Sequence, residues 1–175
     1  MKTYVLTVSK TFPATHKRAG EQTNFIEKIL LAKMRQDNPK MTVSAEKNGV
    51  AFTPKIHTIR SNYELWVKRI EQIQKGEAIL SIRYWSGKPY NSKQIEICQL
   101  DKDSGIGIQG VIFDICDWSI AHIYTKGEID TKLLFPSYVK FSKNDGLSVE
   151  DFKEWFKNYD LSKMMAIIHF TEMRY

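Results

Sequence analysis

The sequence predicts an α+β fold, a small mixed sheet or partly open β-barrel with flanking helices. Three observations carry that expectation. The hydrophobic period changes from 3.6 to 2 at Gly76, the strand-like runs gather in the middle and at the end of the chain, and the helical stripes stand apart rather than alternating with strands in a βαβ series. With 175 residues, 42% hydrophobic and 26% charged, the chain has the size of one domain with one core and the composition of a globular protein.

Tyr4 to Ser9 reads as the opening strand, and Phe12 to Gly20 as a basic loop punctuated by Pro13 and Gly20. From Thr23 to Met34, Phe25, Ile26, Ile29, Leu30 and Met34 share one helical face until Asn38-Pro39 stops the run. Asn48-Gly49 between Thr42–Ala45 and Val50–Phe52 predicts a small hairpin. Lys55 to Arg60 leads into a second helix, Asn62 to Lys75, with Tyr63, Trp66, Ile70 and Ile73 on one face and Gly76 as its cap. Beyond it, 77–84, 94–98, 107–115 and 164–170 read as strands, and Ser148 to Tyr159 as a third helix opened by the Ser148/Asp151 capping pair. Gly105 to Gly110 imitates a dinucleotide fingerprint but lies between strand signals with no helix after it, so it reads as a turn and bulge.

Several classes fall away on composition. No apolar run approaches the roughly 20 residues of a membrane span, and the start turns polar too early for a secretory segment, so a cytoplasmic protein with no membrane partner is expected. Cys98 and Cys116 form no CxxC pair and read as reduced thiols. His16, His57, His122 and His169 show no metal-ligand spacing, so no metal site is expected. The net charge of +6 is uneven: residues 1–75 carry a balance of +8 and residues 76–175 one of −2. A basic half suits a polyanion such as nucleic acid.

Two segments could carry chemistry. Lys55 to Arg60 puts a cation, a His, a hydroxyl and a second cation within six residues. If it is extended, Lys55 and His57 point one way and Thr58 and Arg60 the other; in a tight turn, Lys55 and Thr58 could converge, while the plain alternative is a basic edge capping the next helix. Trp85 to Lys93, with Arg83 just before it, interleaves Trp85 and Tyr90 with Lys88 and Lys93. That pairing of stacking rings with phosphate-tracking cations suits a single strand, and its alternative is cross-strand packing in a hairpin. His16, Lys17, Arg18 and His57 lie in basic, loop-like contexts and join Lys55, Arg60, Arg83, Trp85, Lys88 and Tyr90 as candidate nucleotide contacts. Asp145, in the turn Lys143 to Gly146, is a turn-former or an acid.

Thr53-Pro54-Lys55-Ile56-His57-Thr58-Ile59-Arg60 resembles the hallmark of the ASCH domains of the PUA-like superfamily, Gly-x-Lys-x-x-Glu-x-Arg. Lys55 and Arg60 match; Thr53 stands for the Gly and Thr58 for the Glu. Thr at that place, three residues after a catalytic Lys, is similar to small bacterial ASCH amidohydrolases that cleave N4-acylated cytidines. Those enzymes use a Glu in the turn before their C-terminal helix, and aligning Ser148–Lys153 with that helix puts Asp145 there. The resemblance implies catalytic residues Lys55, Thr58 and Asp145 in a single domain, a small PUA-like β-barrel with flanking helices and a cleft beside the motif. A strand–helix extension over about 1–52 and an insert over about 101–137, holding Trp118, His122, Tyr124 and a Lys126-Gly127-Glu128 turn, lie outside its well-covered part.

Two functions follow as expectations. A binding module would take RNA or a modified nucleotide in the basic cleft, with Lys55 and Arg60 on phosphate or base edges and Trp85 or Tyr90 stacking. An amidohydrolase would attack an acyl carbon with Thr58, activated by a Lys55 whose pKa burial has lowered. Such a lysine needs a secluded pocket. Neither reading implies a cofactor, and a monomer is the default.

Overall fold

The computed structural model describes residues 1–40, 46–47, 50–113, 121–125 and 138–175. Its architecture is α+β, with the described strands in two principal open sheets and a small hairpin rather than in one closed barrel. Among the described residues the two sheets share no strand pairing: β1 (Lys2–Thr7), β5 (Ala78–Trp85) and β6 (Gln94–Leu100) make one, and β4 (His57–Arg60), β9 (Met165–His169), β7 (Gly107–Phe113) and β8 (Ala121–Tyr124) the other.

β1 runs parallel to β5, with Thr7 opposite Arg83, whereas β5 and β6 form an antiparallel hairpin with a register shift at Ile82/Arg83. The parallel pair requires a long crossover, which holds α1 (Phe25–Asp37), the two-residue strands β2 (Glu46–Lys47) and β3 (Val50–Ala51), β4 and α2 (Tyr63–Gln74). β2 and β3 pair as a hairpin around 48–49; the Asn48-Gly49 turn itself, like Cys116, Trp118 and Lys126-Gly127-Glu128, lies outside the described residues. In the second sheet every pairing is antiparallel, and β4 meets β9 with His57 opposite His169 and Thr58 opposite Ile168.

α2 buries Trp66, Val67, Ile70 and Ile73, the face its periodicity marks. The Asn62 side chain accepts from Leu65 N–H at its start. At its end Gly76, at φ 77°, closes two main-chain bonds, Gly76 N–H to Ile73 and Glu77 N–H to Gln72. One hydrophobic cluster joins this helix to both sheets, to Phe25 and Ile29 of α1, and to Phe152 and Phe156 of α4 (Val149–Phe156). The N-terminal segment is therefore built into the core: β1 is a sheet strand and α1 supplies two of its buried side chains.

The sequence reading misses one helix, α3 (Tyr138–Asn144), whose seven residues are too few to show a period. It ends in the same main-chain arrangement as α2: Leu147 N–H reaches the Ser142 carbonyl, Gly146 N–H that of Lys143, and Gly146 takes φ 79°. Asp145 is consequently the last residue before a left-handed turn. Ser148 then caps α4 by accepting from Asp151 N–H, as expected. No helix among the described residues is long and apolar enough to cross a membrane.

Candidate active site

Where β4, the α3–α4 turn, α1, α4 and the end of β1 meet, a cavity of about 180 Å³ opens. Lys55, Thr58, Arg60 and Asp145 form its polar lining, and Phe25, Trp155, Phe156 and Tyr159 are its aromatic walls. Pockets that bury a whole drug-sized ligand measure roughly 300 Å³ or more, so this one takes a single flat ring, with the rest of a larger ligand outside it, and not a stretch of oligonucleotide.

β4 begins only at His57, so strand alternation does not govern Lys55. Ile56 is instead held by its main chain between α3 and β9: its N–H donates to the Asn144 carbonyl, and its own carbonyl accepts from Phe170 N–H. Lys55 N–H donates to the Lys28 carbonyl of α1. Thus anchored, Lys55 turns its side chain inward, and it lines the cavity together with Thr58 although the segment runs extended from 57 onward.

The Lys55 side chain is 1% exposed. Its Nζ donates to Asp145 Oδ1 at 2.7 Å and to the Asp145 carbonyl at 2.5 Å, and stands 4.2 Å from the centre of the Phe25 ring. Burial lowers the amine from 10.5 to about 8; Asp145 opposes that shift, and Arg60 and Lys28 add to it. Burial alone would raise the Asp145 carboxyl, but Lys55 and His57 together hold it below the usual carboxylate range. The turn that follows α3 brings the short Asp145 side chain into direct contact with the amine.

Thr58 is buried beside this pair, and its Oγ1 accepts from Arg60 Nη1 at 2.9 Å. The remaining guanidinium bonds go to main-chain carbonyls of Ile59 and Thr7 at 2.8 and 2.7 Å. Because the Thr58 oxygen accepts from Arg60, its own hydrogen is free to point elsewhere. Lys55 and Arg60 against Asp145 leave the lining with a surplus of positive charge, which suits a ligand that presents carbonyl oxygens.

His57 does not face the cavity. It is fully buried, with Nδ1 3.6 Å from Asp145 Oδ1 and Nε2 2.8 Å from Tyr175 Oη, which also takes a hydrogen from the Asn144 amide at 2.9 Å. Burial lowers its pKa, so the ring is neutral at pH 7. The expectation that His57 touches a ligand therefore gives way to a place behind the carboxylate. Asn144 and Tyr175 carry no signal in the sequence, since only folding brings 57, 144 and 175 together.

The other candidate contacts lie elsewhere. His16 is buried at 4% exposure, stacked 4.4 Å from Phe12, with Nδ1 accepting from Arg18 N–H and Nε2 on the Asp151 carbonyl, so neither ring nitrogen is left for a ligand. Arg18 is exposed but paired with Glu21 and Asp151, and Lys17 is exposed beside it. These contacts tie the 12–23 loop to α4, whose Trp155 packs between Phe12 and Phe25. Arg83 donates to Ser81 and lies 3.8 Å from Glu96 on the β5–β6 hairpin. Trp85 and Tyr90 meet at 5.4 Å across that hairpin's end, with Tyr90 88% exposed and Lys88 exposed nearby. None of Arg83, Trp85, Lys88 and Tyr90 lines the cavity. His169 is a packed strand residue, fully buried.

Comparison of the chain with protein-family models, curated proteins and solved structures returns no match.

Proposed function

We propose that the protein is a small-molecule amidohydrolase acting on an N-acylated aminopyrimidine such as N4-acylated cytidine, in the manner of the ASCH-type enzymes its Lys-x-x-Thr-x-Arg segment resembles. One observation carries the reading: an amine with a pKa near 8, shut away from solvent and held by a carboxylate, lines the same small cavity as a buried threonine hydroxyl. A base poised near neutrality is what activation of a hydroxyl requires.

In this mechanism the flat base lies between the aromatic walls. Thr58 Oγ1 bonds to the acyl carbon while its proton passes to the neutral Lys55 amine. The tetrahedral oxyanion is favoured by the Arg60 guanidinium. The C–N bond then breaks, and the exocyclic nitrogen takes the proton back from Lys55 and leaves as the free amine. Water attacks the acyl-threonine ester as Lys55 again accepts a proton; the bond from the acyl carbon to Oγ1 then breaks, Lys55 returns that proton to Thr58 Oγ1, and the carboxylic acid departs. Asp145 keeps the amine in place throughout.

The test is absorbance-monitored hydrolysis of N4-acetylcytidine by the parent, Thr58→Val and Thr58→Ser. Turnover that falls roughly a thousandfold or more in Thr58→Val and survives in Thr58→Ser supports the reading. Silence from the parent on this and related N4-acyl substrates removes it.

The tip where half-buried Trp85 meets exposed Tyr90 and Lys88 favours a second reading, RNA binding on the hairpin face. An affinity for RNA that falls steeply with salt and is lost in Trp85→Ala would support it.

A further inference from the structure

Behind the cavity, Asn144, Tyr175 and His57 form a buried hydrogen-bonded line whose inner end, His57 Nδ1, has no hydrogen-bond partner and faces the Asp145 carboxylate held by Lys55. The Asn144 amide donates to Tyr175 Oη, which leaves the phenol's own hydrogen for His57 Nε2 at 2.8 Å. Nε2 is then an acceptor, so in the neutral ring the proton sits on Nδ1, the atom that faces Asp145 Oδ1 at 3.6 Å. The opposite tautomer would set an Nδ1 lone pair against a carboxylate. Tyr175 is itself pinned: Gln109 accepts from its backbone N–H at 2.9 Å and donates to its backbone oxygen at 3.1 Å.

We infer that Tyr175 and His57 are positioning residues that hold an N–H facing the Asp145 carboxylate, a second donor that closes on it and keeps it oriented when the Lys55 amine is without its extra proton. The need for such a donor is geometric. Asp145 Oδ1 receives Lys55 at 2.7 Å on one side and faces His57 Nδ1 on the other. Were Lys55 its sole partner, neutralising the amine would strand a buried carboxylate, and the carboxylate would resist by holding the proton on Lys55. The ionisable groups around the line come from several elements. Lys55 and His57 face Asp145; Arg60 of β4 and Lys28 of α1 act on Lys55; His169 of β9 and Tyr175 face His57. Burial leaves His169 neutral, with its pKa well below the usual histidine range, so neither histidine competes with Lys55 for a proton near pH 8.

The inference concerns the same site as the proposed hydrolase, but its test reads ionisation rather than turnover, so either can fail alone. In the intact parent, nitrogen NMR of the imidazoles reports the His57 tautomer, and the expected state is Nδ1–H; an Nε2–H ring would overturn the inference without any variant being made. The ε-methylene carbon shift of Lys55 followed against pH then gives its midpoint in the parent, Tyr175→Phe, His57→Phe and His57→Gln. The first two remove the donor and raise the midpoint by about one unit, while the Gln amide, which can still donate, brings it back toward the parent. Unchanged midpoints in folded Tyr175→Phe and His57→Phe would overturn the inference.

Discussion

The Lys55 ammonium closes on Asp145 twice, once on the carboxylate at 2.7 Å and once on the residue's own carbonyl at 2.5 Å. Asp145→Asn keeps the second bond and removes the counter-charge, leaving a buried cation without its partner. Loss of one half of a buried pair costs about 3–5 kcal/mol, whereas replacing both halves by apolar residues costs far less. Urea unfolding of Asp145→Asn, Lys55→Met and the double variant Lys55→Met/Asp145→Leu should therefore rank the double variant above either single one.

The lowered Lys55 pKa also sets a pH dependence of stability. The amine loses its proton at about 8 in the folded protein and at 10.5 in the unfolded chain. Between those values the unfolded state binds the proton and the folded state does not, so the Lys55 contribution to stability grows as pH rises from about 8 to 10.5. Asp145 acts at the other end: its folded pKa lies below the ordinary aspartate value of 3.8, so its contribution is full above 3.8 and is lost as pH falls through the folded value. Unfolding free energies of the parent and Lys55→Met between pH 7 and 10.5 should diverge, and parallel curves would contradict the assignment.

Gly146 has no freedom to change. At φ 79° it occupies left-handed backbone, and an added Cβ would stand 3.1 Å from Lys55 Cβ and 3.3 Å from Lys55 Cγ. Gly146→Ala should cost about 1–2 kcal/mol from the backbone alone. Displacement of Lys55 should further lower any hydrolytic activity, whereas Gly20→Ala, whose Cβ meets nothing within 4 Å at φ 83°, bears only the backbone strain. Denaturation and turnover measured on both variants separate the two effects.

Lengthening the acid at 145 should harm the site. Asp145 already reaches Lys55 at 2.7 Å, so the extra methylene of Asp145→Glu drives the carboxylate against the buried amine and its surroundings. Overpacking of this kind costs roughly 1–3 kcal/mol. A Glu variant as stable and as active as the parent would show that the turn has slack.

The β5–β6 hairpin tip should be separable from the cavity. Trp85→Ala and Lys88→Ala alter none of the residues lining it, so kcat/KM on an N4-acyl nucleoside should stay within about twofold, and stability within about 0.5 kcal/mol for the exposed Lys88. A large fall in kcat/KM would place the hairpin over the bound substrate.

Much of the fold was legible where local rules decide it. The α2 stripe from Tyr63 to Ile73, the Gly76 stop and the Ser148 cap all follow from spacing and from which residues satisfy a helix end. Lys55, Thr58, Arg60 and Asp145 were legible as a set through the ASCH resemblance, and they share one cavity. Their neighbours were not. His57 and His16 look like loop cations in sequence but are buried by β9 pairing and by stacking on Phe12. Trp155 and Tyr159, within the 148–159 helical run, border the cavity, which nothing local in the sequence announces. The α3 helix is too short to show a period, and the joining of Asn144, His57 and Tyr175 is a tertiary event that no local pattern records.

The bond between Lys55 and Asp145 spans 90 residues of chain, and Lys28, which tethers Lys55 N–H through its carbonyl, also donates to the Gly146 carbonyl across 118. Contacts so distant in sequence bear a large loop-closure cost and rank among the late events of folding. An unfolded or half-folded chain therefore carries a lysine of ordinary basicity and a threonine of ordinary inertness. The acidified amine comes into being as the last segments dock, so its appearance in a refolding experiment would time the completion of the fold itself.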